Sequence, residues 1–123
     1  MEPLLIEATT DTPEIKFDPG NEHFSISGRS LPENSIGFFQ PVFDWLNQYY
    51  GAPNPKTVFN FKLDYFNTAS AKQIAKILLF FEKLKEKTDI SVKWYYNEED
   101  TDMQSSGARY SKLIDIPFEL LEI

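Results

Sequence analysis

The chain has no cysteine and a single histidine, His23. The first absence excludes disulfides, thiol catalysis and thiolate metal sites, and it allows a reducing compartment. The second leaves a lone imidazole without a companion ligand, which argues against a histidine-based metal or catalytic centre. Glycine is scarce, with 5 residues, and none lies in a phosphate-cradling run. Cations are outnumbered, 12 Lys and Arg against 19 Asp and Glu, for a net charge of −7. Nucleic acids and anionic membranes need a broad basic face, so neither is expected as a partner. Long apolar runs are also missing. Ile74 to Phe81 is interrupted by Lys76 and is too short to span a bilayer. The opening MEPLLIEATT has no basic start, so a signal peptide is not expected and a cytoplasmic protein is. What is plentiful is aromatic residues, 15% of the chain with 11 Phe. At 123 residues, this predicts one domain, 1–123, with a core that needs no covalent staples.

The patterning predicts alternating strands and helices. Leu4-Leu5-Ile6 reads as a short strand and Glu14 to Asp18 as a second. Asp18-Pro19-Gly20-Asn21 is a turn, after which Phe24, Ile26 and Gly28 alternate with serines in a hairpin partner. Ser30-Leu31-Pro32-Glu33 has the form of a capping box, which predicts a helix starting at Ser30 and running to about Tyr50, where Gly51 stops it. Ile36, Phe39, Val42, Phe43, Leu46 and Tyr50 form its predicted core face, and Pro41 should bend it.

Thr57 to Leu84 organises the rest. A strand with Val58, Phe59, Phe61 and Leu63 runs into the polar break Asn67-Thr68-Ala69-Ser70, and an amphipathic helix follows at once. Its apolar arc is Ala71, Ile74, Ala75, Ile77, Leu78, Phe81 and Leu84, with Lys72, Lys76, Lys83 and Lys87 opposite. Ile90, Val92, Trp94 and Tyr96 form another strand. A short helix over about Asp100 to Ser111 and a last strand over Leu113 to Leu121 complete the order β-β-β-α-β-α-β-α-β. This is an α/β fold: an N-terminal antiparallel hairpin, then βαβ units in a mixed sheet with helices packed on it.

The polar break is the leading candidate site. A helix N-terminus carries unpaired N–H groups and the positive end of the dipole, so it suits an anion. On the residues alone, Asn67, Thr68 and Ser70 are equally good N-caps, and Ser70 with Gln73 matches a capping box. Arg29 precedes the first helix, where it could hold a phosphate, a carboxylate or simply a structural ion pair. Phe38, Trp45 and Tyr49 lie off the predicted core stripe. They either pack on the N-terminal hairpin or form an aromatic strip for a partner. The lysine row, Lys72 and Lys76 above all, is either a solvated face or a contact for an acidic partner. The acids from Glu98 to Asp102 lack the spacing of a calcium loop and read as solvated.

Several runs are specific enough to carry a resemblance. They are Ile6-Glu7-Ala8-Thr9, Gly28-Arg29-Ser30-Leu31-Pro32-Glu33-Asn34, Asn54-Pro55-Lys56-Thr57, Tyr65-Phe66-Asn67-Thr68-Ala69-Ser70 and Trp94-Tyr95-Tyr96. Over nearly its whole length the chain resembles the SiaC family of regulatory phosphoproteins, whose fold is similar to the STAS domain of anti-sigma-factor antagonists. The resemblance implies a bacterial, non-catalytic switch without cofactor or metal. A SiaB-like protein kinase would phosphorylate Thr68, with Asn67, Ser70, Lys72, Arg29 and Lys62 around the phosphate, and a SiaA-like PP2C-type phosphatase would reverse this. The unphosphorylated form would bind and activate a SiaD-like diguanylate cyclase, raising cyclic di-GMP in biofilm control. Phe38, Trp45, Tyr49 and Lys76 are the candidate partner contacts. The alternatives are an anti-sigma-factor antagonist or a nucleotide-binding STAS-like domain, which would need a cleft near Thr68 lined by Arg29 or Lys62.

Overall fold

Alternation in the first thirty residues becomes three antiparallel strands in the computed structural model, which describes Met1–Ile123: β1 (Leu4–Ile6), β2 (Glu14–Asp18) and β3 (His23–Ser30). A single 3-10 turn at Pro19–Asn21 joins the second pair. Then follow α1 (Ser35–Gly51), β4 (Lys56–Phe66), α2 (Thr68–Leu84), β5 (Asp89–Tyr96), α3 (Thr101–Leu113) and β6 (Phe118–Glu122). From β3 to β6 every strand pair is parallel, and the six strands lie side by side in chain order. Right-handed crossovers that all step the same way put all three helices on one face of the sheet. The other face carries Lys16, Ser27, Asn60, Lys62, Ser91 and Lys93, between the inward residues of each strand, and no helix covers it.

The core lies between sheet and helices and is largely aromatic. Phe59 stacks on Phe81 with centroids 4.0 Å apart, and Phe61 on Trp94 at 5.4 Å. Such pairs contribute about 0.5–1.5 kcal/mol each beyond the area they bury. α3 approaches the sheet closely enough to require a glycine. A Cβ at Gly107 would sit 2.5 Å from both Leu120 Cδ2 and Trp94 Cδ1.

The element order is as the sequence predicts, but four local expectations need correction. Ser30 does not cap α1. It ends β3 fully buried, and Asn34 is the N-cap, its side chain accepting from the Gly37 N–H at 3.1 Å. The core face of α1 is turned from the predicted one: Phe39, Val42 and Leu46 are buried as expected, but Ile36 is 66% exposed. Trp45 and Tyr49 take the flank instead. Trp45 packs on Phe17 at 5.2 Å and donates to the Glu2 carbonyl, while Tyr49 is fully buried. They therefore do not form an exposed partner strip; they close the core against the N-terminal strands. Lastly, Leu113 to Pro117 is not strand, and Lys87 lies beyond the end of α2. α1 runs uninterrupted through Pro41.

Candidate functional site: the turn between β4 and α2

A bulge sets the geometry of this turn. Gly28 pairs with Leu63, but its neighbour Arg29 pairs with Tyr65, so Asp64 is an extra residue on β4. Gly28 has φ +100°, a backbone region open to glycine and costly for other residues. The extra residue reverses the facing of β4 beyond it. Phe66 turns inward, edge-on to Trp94 at 6.2 Å. Tyr65 turns out onto the uncovered face, 49% exposed, with the Arg29 guanidinium 5.7 Å above its ring.

The chain then crosses from sheet to helix under tight restraint. The Asn67 N–H donates to the Ser30 carbonyl at 3.1 Å, and the Asn67 side chain accepts from the Ser70 N–H at 2.8 Å. Asn67 is thus the N-cap of α2, and Thr68 is its first residue. Ser70 is fully buried and its hydroxyl donates to the Ser30 carbonyl at 3.0 Å. A hydroxyl has one proton, so in the 2.7 Å contact between the two serine hydroxyls Ser30 is the donor and Ser70 the acceptor. From the other side, Tyr110 on α3 donates to the Ala71 carbonyl at 2.9 Å. Burial pushes the Tyr110 phenol up to about 12, with the nearby Arg109 charge opposing.

Thr68 is exposed at the apex of this anchored turn, and none of the turn's hydrogen bonds uses its side chain. The neighbouring charges differ by side. Lys72 is exposed one helical turn along α2. Towards α3, Asp64, Asp100 and Asp102 line a cleft of about 130 Å³ with Tyr65, Phe66, Met103 and Ser106. Lys62 is further down β4, opposite Ser27, with its ammonium 4.9 Å from the Tyr95 ring centroid. So Asn67, Ser70 and Lys72 gather with Thr68, Arg29 flanks the turn on the uncovered face, and Lys62 stands apart. Neither Arg29 nor Lys62 lines any cavity, which deprives the nucleotide-pocket alternative of the cleft it needs. Of the other candidate contacts, Phe38 is half-buried edge-on to Phe39, and Lys76 is exposed on α2. His23 bonds Ser25 on β3.

Sequence reasoning missed the pairing of Ser30 with Ser70 and the tether from Tyr110. The first had a signal: Ser30 continues the inward series Phe24, Ile26, Gly28, so its side chain had to enter the core side. Tyr110 had none, because the approach of α3 to α2 is set by tertiary packing.

The family model described as SiaC family regulatory phosphoprotein matches residues 6–123. An uncharacterised protein of Pseudomonas aeruginosa (strain UCBPP-PA14) is 27% identical over 121 residues, covering 98% of this chain and 96% of its own. The structure of SiaC of Pseudomonas aeruginosa superposes with a TM-score of 0.88 at 27% identity, over 100% of both chains. A crystal structure of diguanylate cyclase SiaD in complex with its activator SiaC, from the same organism, matches with a TM-score of 0.90 at 26% identity, over 98% of this chain and 99% of that one. No helix of the protein is long and apolar enough to cross a membrane.

Proposed function

Because the chain belongs to the SiaC family of regulatory phosphoproteins, we propose that it is a non-catalytic cytoplasmic switch worked by phosphorylation of Thr68. A SiaB-like kinase adds the phosphate and a SiaA-like PP2C-type phosphatase removes it. The unphosphorylated form binds and activates a SiaD-like diguanylate cyclase, so that cyclic di-GMP and biofilm formation follow the state of one hydroxyl. The cyclase assignment is supported by the likeness to SiaC as found with SiaD.

One observation carries the choice of residue. Of the two hydroxyls in the turn, that of Thr68 is exposed, while Ser70 is fully buried and committed to Ser30. The site also tolerates the product. A phosphate adds about −1.5 to −2 charge at pH 7. At the first residue of a helix the dipole favours that charge by roughly 0.3–1 kcal/mol, and Lys72 can pair with it. What changes is the surface: a partner packed on the threonine methyl now meets a dianion and must desolvate it.

The test is intact-mass analysis with the kinase and ATP, followed by cyclase assays. One phosphate is expected on the wild type and none on Thr68→Ala. Thr68→Ala should activate the cyclase as the unmodified protein does, and Thr68→Asp should activate it poorly. Equal activation by the two variants would count against the reading.

A further inference from the structure

The sheet face that no helix covers carries an unusual corner. On a chain of net charge −7, the central strands β3, β4 and β5 display Arg29, Lys62 and Lys93 on this face. None of the three is neutralised. Glu119 is the register partner of Lys93 and Asp64 precedes Tyr65, yet neither forms an ion pair, and the one ion pair in the structure is Lys85 with Asp115. Two of the cations are held in place by rings instead. Arg29 lies 5.7 Å over Tyr65, and Lys62 lies 4.9 Å over Tyr95, whose hydroxyl donates to Asn60 Oδ1 at 3.3 Å. A cation resting on a tyrosine keeps its outer hydrogens free while losing part of its side-chain freedom, and Tyr and Arg are the residues that dominate interface energies.

We propose that this corner of the open face docks an acidic segment of the partner protein. Charge complementarity selects the occupant: three unpaired cations, two of them resting on tyrosines, attract carboxylates, and the shared net charge of −7 disfavours a second copy of this chain. The corner is continuous with the switch. The bulge that turns Tyr65 outward under Arg29 also sets the path of the chain into Asn67 and Thr68, and the Ser30 carbonyl next to Arg29 receives the Asn67 N–H. A phosphate on Thr68 therefore adds negative charge next to the turn that the Arg29 end of the corner flanks. This rests on the Thr68 reading for the partner's identity and adds where and by what chemistry that partner binds.

The experiment measures binding of the cyclase to the unphosphorylated protein by calorimetry at low and moderate salt. The wild type is compared with Arg29→Glu/Lys62→Glu, with Arg29→Lys/Lys62→Arg and with Lys112→Glu on α3, on the opposite, helical face. These side chains are exposed, and thermal unfolding checks that each variant folds. The double reversal should weaken binding at least roughly tenfold and flatten its salt dependence, while the charge-conserving pair and Lys112→Glu stay within about twofold. Wild-type binding that the double reversal leaves intact, or that Lys112→Glu abolishes instead, overturns the docking proposal and spares the switch. No binding by the wild type at all overturns the switch itself, and the docking proposal with it.

Discussion

Replacing Ser70 by alanine should be costly out of proportion to the one oxygen it removes. Its hydroxyl is fully buried and serves two bonds, accepting from Ser30 Oγ at 2.7 Å and donating to the Ser30 carbonyl at 3.0 Å. Without it the Ser30 hydroxyl is a buried donor with no acceptor, and such a group costs about 1–3 kcal/mol. Ser30→Ala is milder, because Ser70 still donates to the Ser30 carbonyl and only one bond goes, at about 0.5–1.5 kcal/mol. The double variant removes both hydroxyls and leaves nothing orphaned on the side chains. Its loss should therefore be no greater than that of Ser70→Ala alone. Urea denaturation of the four proteins closes a double-mutant cycle, and hydrogen exchange at the amides of Asn67 to Ala71 reports whether the opening is local to the turn. Strictly additive losses, or a Ser70→Ala protein as stable as the wild type, would refute the assignment of donor and acceptor.

Two further outcomes follow from the packing around the same elements. Gly107→Ala forces a methyl to within 2.5 Å of Trp94 and Leu120; a thermal melt should show a loss of about 1–3 kcal/mol from overpacking, and an unchanged melting temperature would mean that α3 sits further from the sheet. Tyr110 is pushed up to about 12 in the folded protein, from an ordinary value of 10.0. The neutral phenol is thus favoured by folding, so its contribution is complete below about pH 10 and fades as the pH rises through the folded value. The stability difference between wild type and Tyr110→Phe should shrink over that interval, whereas a constant difference would place the phenol in water.

The elements were legible where period and composition agreed. Phe59, Phe61 and Leu63 alternate without interruption, and the arc of Ile74, Ile77, Leu78 and Phe81 has one clear face. On α1 the pattern is degenerate. Phe39, Val42 and Leu46 define a stripe that Phe43 and Tyr50 widen on one flank and Trp45 and Tyr49 on the other. Nothing along the helix says which flank meets the sheet. The sheet settles it, because Phe17 and Phe24 offer Trp45 and Tyr49 aromatic partners at 5.2 Å and 5.5 Å. Tyr50 is left towards α2, bonded to Glu86 and flanked by Lys83 and Lys87. The capping signal at Ser30 failed for a related reason. Asn34 is an equally good cap four residues later, and the inward pull of β3 claims the serine for the core.

By itself the sequence determined the order of strands and helices, the parallel run that follows the hairpin, and the place where β4 hands over to α2 at Asn67 and Thr68. These depend on side-chain periodicity and local caps, which are properties of neighbours along the chain. Tertiary structure alone decided which hydroxyl of that turn faces water. That choice needs Ser30 to arrive from a strand 40 residues away and hold Ser70, and it needs the Asp64 bulge to reverse the facing of the last residues of β4. The alternation of β3 points Ser30 inward, but which residue it meets there is set by close packing between distant segments in three dimensions, and no local pattern encodes that pairing.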